Sequence, residues 1–202
     1  RVAPMQNHNV SISGGSEGTQ YTVSGGFFKQ DGIIIGSDFD RFTLRANIDS
    51  KVKEGIKIGS SIALSRKNER MISSDGGDGV IAQAAQMAPH IPVRNFDGSF
   101  AGPEQQNVSS QVSFNPVGLA LLRNNTLLNN RIMTSLFAEV KIIRDLSFRT
   151  DLGFDYSNSM NKAFMPTFQW GTLINNTSQF AQRTDQSFYY NWTNSLRYAR
   201  TF

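Results

Sequence analysis

Residues 7–49 read NHNVSISGGSEGTQYTVSGGFFKQDGIIIGSDFDRFTLRANID, and three runs within them alternate strictly between apolar and polar residues. A period of two means a strand whose two faces meet different surroundings. In the first run, at residues 9–15, Val10 and Ile12 share one face and Ser11 and Ser13 the other. In the second, at 20–30, Tyr21, Val23, Gly25 and Phe27 oppose Thr22, Ser24 and Gly26. The third is the clearest: Phe42, Leu44, Ala46 and Ile48 point one way, and Arg41, Thr43, Arg45, Asn47 and Asp49 the other. A glycine-rich turn separates the first two runs, and a polar loop at 31–40 separates the second from the third.

The pattern continues to the end of the chain. A fourth strand at 56–68 puts Ile56, Ile58, Ile62 and Leu64 on its apolar side, with Lys57, Ser61, Ser65 and Lys67 opposite. The fifth and sixth form a hairpin: Ile132, Thr134, Leu136, Ala138, Val140 and Ile142 face Leu146, Phe148, Thr150, Leu152, Phe154 and Tyr156. Pairing Ile142 with Leu146 puts Val140 opposite Phe148 and Leu136 opposite Leu152. The same register sets Glu139 opposite Arg149, so both faces agree on it. A seventh strand carries Phe188, Tyr190, Trp192, Leu196 and Tyr198 on one side.

Residues 71–130 break the rhythm. A short helix is predicted over 80–87, ended by Pro89, and four of the six prolines fall in this stretch. Sixty residues without strand pairing are out of place inside a compact domain but suit an external loop of a barrel. Connections alternate accordingly, short at 15–19, 51–55 and 143–145, and long at 31–40, 71–130 and 166–185. One rim of tight turns and one of long loops is the asymmetry of outer-membrane barrels. Aromatics near strand ends, namely Phe27, Phe28, Phe42, Tyr156 and Tyr198, suit interfacial girdles.

Composition agrees with an apolar medium outside the sheet. Hydrophobic residues are only 39% of the chain, and they are spread in alternation instead of being gathered into core runs. Mean hydropathy is negative, as expected when half of each strand faces a polar lumen. No run approaches the ~18 apolar residues of a membrane-spanning helix. The +4 formal charge is scattered along the chain, which fits one solvated face and not a nucleic-acid stripe. Without Cys there is no thiolate metal site or disulfide framework. The first residues, RVAPMQNHN, have neither an initiating Met nor a signal-peptide pattern, so the chain is expected to be an internal piece of a longer protein.

The stretch at 7–49 also resembles the SusC/RagA family of TonB-dependent outer-membrane transporters of Bacteroides-type bacteria. NHNVSISGGSEGTQYTVSGGFFKQDGII and SDFDRFTLRANID are similar to that family's early barrel strands. AQAAQMAPHIPVRNFDGSFAGP, at 82–103, resembles its long loop, in which a helix precedes a proline-rich stretch and an Asp-Gly turn. The likeness runs from residue 1 to 202 and places the chain as roughly strands two to eight of a larger barrel. It implies import of an oligosaccharide or peptide, energy delivered through TonB by way of a plug domain, and a SusD-like lipoprotein as partner. The plug and the TonB box are missing from these residues. One partial barrel domain over 1–202 is therefore expected, located in the bacterial outer membrane.

No residue pattern points to catalysis or to a cofactor. His8 and His90 lie far apart, no G-x-S-x-G occurs, and the glycine pairs lack the order of a phosphate loop. Asp75-Gly76-Gly77-Asp78-Gly79 lacks the acids of a calcium loop and reads as a turn. Phe168 and Trp170 are open to two readings, sugar stacking, or membrane-interface or loop packing. On the polar face, Arg41, Arg45, Asn47, Glu139, Arg149, Asp151 and Asp155 are expected to line the lumen or contact a plug, with Arg149, Asp151 and Asp155 in one ladder. On the other face, Phe42, Leu44, Ile48, Leu136, Val140, Phe148 and Leu152 are expected to meet outer-membrane lipid. The alternative is a soluble all-β surface module binding glycans, whose apolar face would be covered by a second sheet.

Overall fold

A computed structural model of the chain describes residues 2–72, 79–103 and 113–200. β1 (Met5–Gly15), β2 (Thr19–Asp31), β3 (Asp38–Lys53) and β4 (Ile56–Met71) follow one another through tight connections. Two short helices come next, α1 (Val80–Gln86) and α2 (Pro116–Leu122). Then come β5 (Asn124–Ile143), β6 (Leu146–Met165), a small hairpin of β7 (Phe168–Trp170) with β8 (Leu173–Asn175), and β9 (Gln179–Tyr198). Seven strands form one antiparallel sheet in the order β1-β2-β3-β4-β5-β6-β9. Each pairs only with its neighbours along the chain, and β1 and β9 are its edges.

The alternation read from the sequence sorts residues to two faces in register. One hydrogen-bonded row runs Val10–Gly25–Leu44–Leu64–Ile132–Tyr156–Phe188, and the next runs Ile12–Val23–Ala46–Ile62–Thr134–Phe154–Tyr190. Among the described residues no second sheet covers these rows. Phe42 is 53% exposed, Leu44 47% and Leu136 41%, while Phe148 and Leu152 are half-buried beside Leu196 and Trp192 of β9. The expectation of a covering sheet, which the soluble module required, is not met.

The apolar belt crosses the rows obliquely. In β1–β3 it reaches the row His8–Phe27–Phe42, where β4, β5, β6 and β9 already carry Arg66, Asn130, Asn158 and Gln186. At the other end it extends through Ile56, Val140, Phe148 and Leu196, while β3 carries Lys53. A belt parallel to a bilayer drifts across its rows in this way when strands are tilted to the barrel axis.

The tight turns differ in detail from the sequence reading. The fifth and sixth strands turn on Arg144-Asp145 alone, with Ile143 opposite Leu146 and Lys141 opposite Ser147. Ile142 is the extra residue of a bulge, so the expected Ile142–Leu146 pair is corrected, while Val140–Phe148, Leu136–Leu152 and Glu139–Arg149 stand. The β3–β4 hairpin repeats the device, with the register shifting between Lys51 and Lys53 before a Glu54-Gly55 turn. Gly55 sits at φ +79°, where a side chain is strained. Each short turn also hands a carbonyl to the next strand. Gly18 O accepts from Lys51 N, Gly55 O from Lys141 N, and Asp145 O from Ala199 N, at 2.7, 2.7 and 2.9 Å.

At the opposite rim the strands run farther than expected. β2 and β3 leave only residues 32–37 as a loop, β5 starts at Asn124, and β9 starts at Gln179. β5, β6 and β9 each have 20 residues, about twice the ~9–11 that cross a bilayer. The helix expected at 80–87 is present as α1. α2 was not anticipated: Asn115 caps it, with Oδ1 accepting from Gly118 N at 2.9 Å, and Pro116 opens its first turn. No helix among the described residues is long and apolar enough to cross a membrane.

Candidate functional site

Two constellations lie on the side of the sheet opposite the apolar belt and above it. The first is the polar wall. Arg45 shares a row with Ser24, Ala63, Met133 and Asp155, and Asn47 shares one with Thr22, Ser61, Ser135 and Gly153. Backbone register therefore gathers the seven expected polar-face residues onto one surface, without bringing them into one cluster.

Their pairing is partly as expected. Arg149 Nη2 donates to Asp151 Oδ1 at 2.8 Å and its Nη1 lies 3.7 Å from Glu139 Oε2. The guanidinium also sits over the Phe137 ring, 4.1 Å from its centroid. Asp155 does not belong to this ladder. It is held by Arg131, whose Nε donates to Oδ1 at 2.9 Å and whose Nη2 donates to Oδ2. Arg131 was missed because it faces Ser157 across the hairpin and reaches Asp155 diagonally. Arg41 stands over Phe28, 5.8 Å from its centroid. Phe28 thus belongs to the polar face and not to an outer girdle, since it pairs with Arg41 while Phe27 pairs with Phe42. Every ion pair here is partly open to solvent, and the arrangement offers polar contacts without an activated nucleophile. Among the described residues no three His, Asp or Glu side chains converge as a metal site. The candidate calcium turn at 75–79 falls largely outside the described residues.

The second constellation is a loop junction beyond the belt, and it holds the buried residues. Asn115, 2% exposed, donates from Nδ2 to the carbonyls of Val93 and Ala101 at 2.8 and 2.9 Å while its Oδ1 caps α2. Gln83 Oε1 of α1 accepts from Phe114 N. Trp170, 3% exposed, stacks on Phe168 at 4.1 Å and meets Phe100 edge-on at 5.9 Å. A Cβ at Gly118 would lie 2.8 Å from Trp170 Cζ2, so glycine there admits the indole. Of the two readings of Trp170, packing holds. Thr172 N and Oγ1 both donate to Pro103 O, and Arg70 Nη2 donates to Leu121 O at 3.4 Å. The segments at 79–103, 113–123 and 166–178 are thereby locked to each other and to β4.

A short hairpin projects from this junction. Asn95 N donates to Ser99 O and Gly98 N to Asn95 O, and Arg94 packs its guanidinium over Phe100 at 4.2 Å. Phe96 at its tip is fully exposed. Asp97 Oδ1 accepts from Ser99 N at 2.9 Å and from Ser99 Oγ at 2.6 Å, and these bonds hold its carboxyl below the usual carboxylate range.

An open antiparallel meander with one apolar face, one polar face, a stitched rim of tight turns and a rim of interlocked loops is a segment of a barrel wall. Comparison with known proteins narrows that class. The chain is 28% identical over 198 residues to TonB-dependent receptor P3 of Formosa agariphila, covering 95% of this chain and 19% of that protein. It is 24% identical over 191 residues to the TonB-dependent receptor SusC of Bacteroides thetaiotaomicron, covering 85% of this chain and 19% of SusC. Among solved structures it superposes on the RagAB peptide importer in its closed-closed state with a TM-score of 0.75 at 21% identity, covering 99% of this chain and 22% of that one. No family model matches. By sequence the chain is similar to SusC-type TonB-dependent receptors, its fold is that of a stretch of the RagAB barrel, and it spans about a fifth of the length of the relatives it matches.

Proposed function

We propose that this chain forms part of the wall of an outer-membrane importer that takes up an oligosaccharide or a peptide with energy delivered through TonB. The observation that carries the reading is the apolar face, which crosses seven strands in register and, among the described residues, is covered by no other layer. Lipid is the medium that suits it. Phe42, Leu44, Ile48, Leu136, Val140, Phe148 and Leu152 then meet the bilayer. Arg41, Arg45, Asn47, Glu139, Arg149, Asp151 and Asp155 face the lumen, where they contact a plug domain or the passing substrate. The loop junction lies on the outer side, where a SusD-like lipoprotein would sit. The wall contributes shape and polar contacts and no chemistry, so the protein is not an enzyme in this reading.

The test is uptake by cells carrying the full-length receptor, with and without functional TonB, from mixtures of labelled oligosaccharides and peptides. TonB-dependent depletion of one class supports the reading and names the substrate class. Depletion of neither class, or depletion that does not need TonB, overturns it.

A further inference from the structure

A pocket of about 240 Å³ lies where the loop junction meets the sheet. Its apolar walls are Phe114, Leu119, Met165, Phe168 and Ile174, and Arg123, Asn175 and Gln179 complete it. The register fixes the face on which it stands. Asp155, Ser157, Ser159, Asn161 and Ala163 lead along one face of β6 to Met165, which pairs with Gln179 of β9. The pocket therefore belongs to the polar face, at its loop-side end, and not to the apolar belt.

Its parts are held in place by other contacts. Phe168 is stacked on the buried Trp170 and meets Phe114 edge-on at 6.1 Å. α2, capped by Asn115, supplies Leu119, and Arg123 ends the helix with its N–H donating to Leu119 O at 3.1 Å. Asn175 Nδ2 donates to Pro166 O at 2.9 Å. The Arg123 guanidinium differs from these. Among the described residues it has no hydrogen-bond or ion-pair partner, whereas Arg131, Arg149 and Arg183 each hold a carboxylate. An aromatic and aliphatic hollow beside one such cation matches an apolar group that carries a carboxylate.

Size and lining choose among ligands of that kind. The volume is below the ~300–1,000 Å³ of sites that enclose a drug-sized molecule, so the pocket holds one side chain and not an oligosaccharide. A sugar ring would press hydroxyls against Leu119, Met165 and Ile174 with nothing to bond, which is costly. We infer that this pocket binds the C-terminal residue of a peptide, with its apolar side chain against Met165, Phe168 and Ile174 and its carboxylate on Arg123. A guanidinium and a carboxylate form charge-assisted bonds stronger than those between neutral groups. Only the last residue of a peptide has its side chain and a free carboxylate on the same carbon. The inference rests on the proposed import role and names peptides as its substrate class.

The experiment follows fluorescence anisotropy on the full-length receptor purified in detergent. The probes are an N-terminally labelled serine-rich peptide ending in leucine, its C-terminal amide, its serine-ended counterpart and a labelled neutral glucose oligosaccharide. The leucine-ended acid is expected to bind tightest, with the amide weaker by about tenfold or more, as loss of a bond to a charged group costs. Arg123→Gln is expected to bring the acid down to the level of the amide and to leave the amide unchanged, a pattern that general loosening of the loops would not give. Ile174→Ser, at an exposed position, is expected to weaken the leucine-ended peptide and not the serine-ended one. Equal binding of acid and amide, a preference for the acid that survives Arg123→Gln, or no binding of the peptides overturns the inference. TonB-dependent uptake of the oligosaccharide by cells carrying the receptor would then leave the importer reading standing. Uptake of neither probe class, or uptake that does not need TonB, overturns both.

Discussion

Glu139 and Arg149 stand directly opposite each other across β5 and β6, yet Arg149 gives its closer bonds to Asp151, two residues along its own strand. The guanidinium is shared between two carboxylates and the face of Phe137, and all three charged groups remain partly open to solvent. Exposed pairs of this kind contribute little. Arg149→Ala is expected to lower the stability of the assembled barrel by under ~1 kcal/mol, read from denaturant unfolding in detergent or vesicles. A loss of several kcal/mol would mean that the pair is desolvated by a plug or substrate.

The two faces make opposite predictions for one substitution. Leu136→Arg places a charge in the middle of the apolar belt and is expected to cost ~2–4 kcal/mol on insertion into a bilayer. Ser135→Arg, its neighbour on the polar face, is expected to cost much less. Folding titrations of the full receptor into lipid vesicles give both numbers, and equal penalties would remove the assignment of faces.

Asn115 is predicted to matter for the loops and not for the sheet. Asn115→Ala orphans the buried Ala101 carbonyl, leaves the Val93 carbonyl with Ala101 N alone, and removes the cap of α2. A cost of ~1–3 kcal/mol to the local stability of this junction follows. Hydrogen exchange should speed up in residues 93–103 and 113–123 while β5 and β6 keep their protection. Uniform loosening of the strands would contradict this.

Acid should loosen the 95–99 turn late. The Asp97 carboxyl is held below its ordinary value, first by the Ser99 hydroxyl and then by the Ser99 backbone N–H. A depressed folded-state value means that its contribution is complete above the unfolded value and is lost as pH falls through the folded one. Protection factors at residues 95–99, which correct exchange for its intrinsic pH dependence, should therefore stay level from neutrality to about pH 4 and fall only below it. Asp97→Asn, which cannot ionise, should abolish that dependence. Loosening that begins near about pH 6 would point to another group.

Within the belt, the sequence was a sufficient guide to the sheet. Wherever one face meets a different medium, alternation marks the strand and fixes its register, as at Phe42–Ile48 and at Leu136 with Leu152. Above the belt both faces of β5, β6 and β9 carry mostly polar residues. Residues such as Asn158, Ser159 and Asn161 then carry no alternation, although backbone pairing continues through them. That is why the strand ends were placed too early. Ile142 was mispaired because a bulge leaves no mark in the side-chain pattern. α2 had its signal in Asn115-Pro116, but Gly118 and the surrounding prolines masked it. The choice between packing and sugar stacking for Trp170 depended on Gly118 and Phe100, which only the fold brings near it.

The loop junction has a mechanical consequence. In the sheet each strand touches only its sequence neighbours, so the sheet by itself is a hinged screen, free to change curvature at every strand pair. At one end single backbone bonds pass from each turn to the next strand. At the other, residues from two separate connections, β4 to β5 and β6 to β9, share one small core around Asn115 and Trp170, tying two successive strand pairs together. That end behaves as a hoop segment, and strain applied there is borne across several strands at once, while the turn-side end can flex one hairpin at a time.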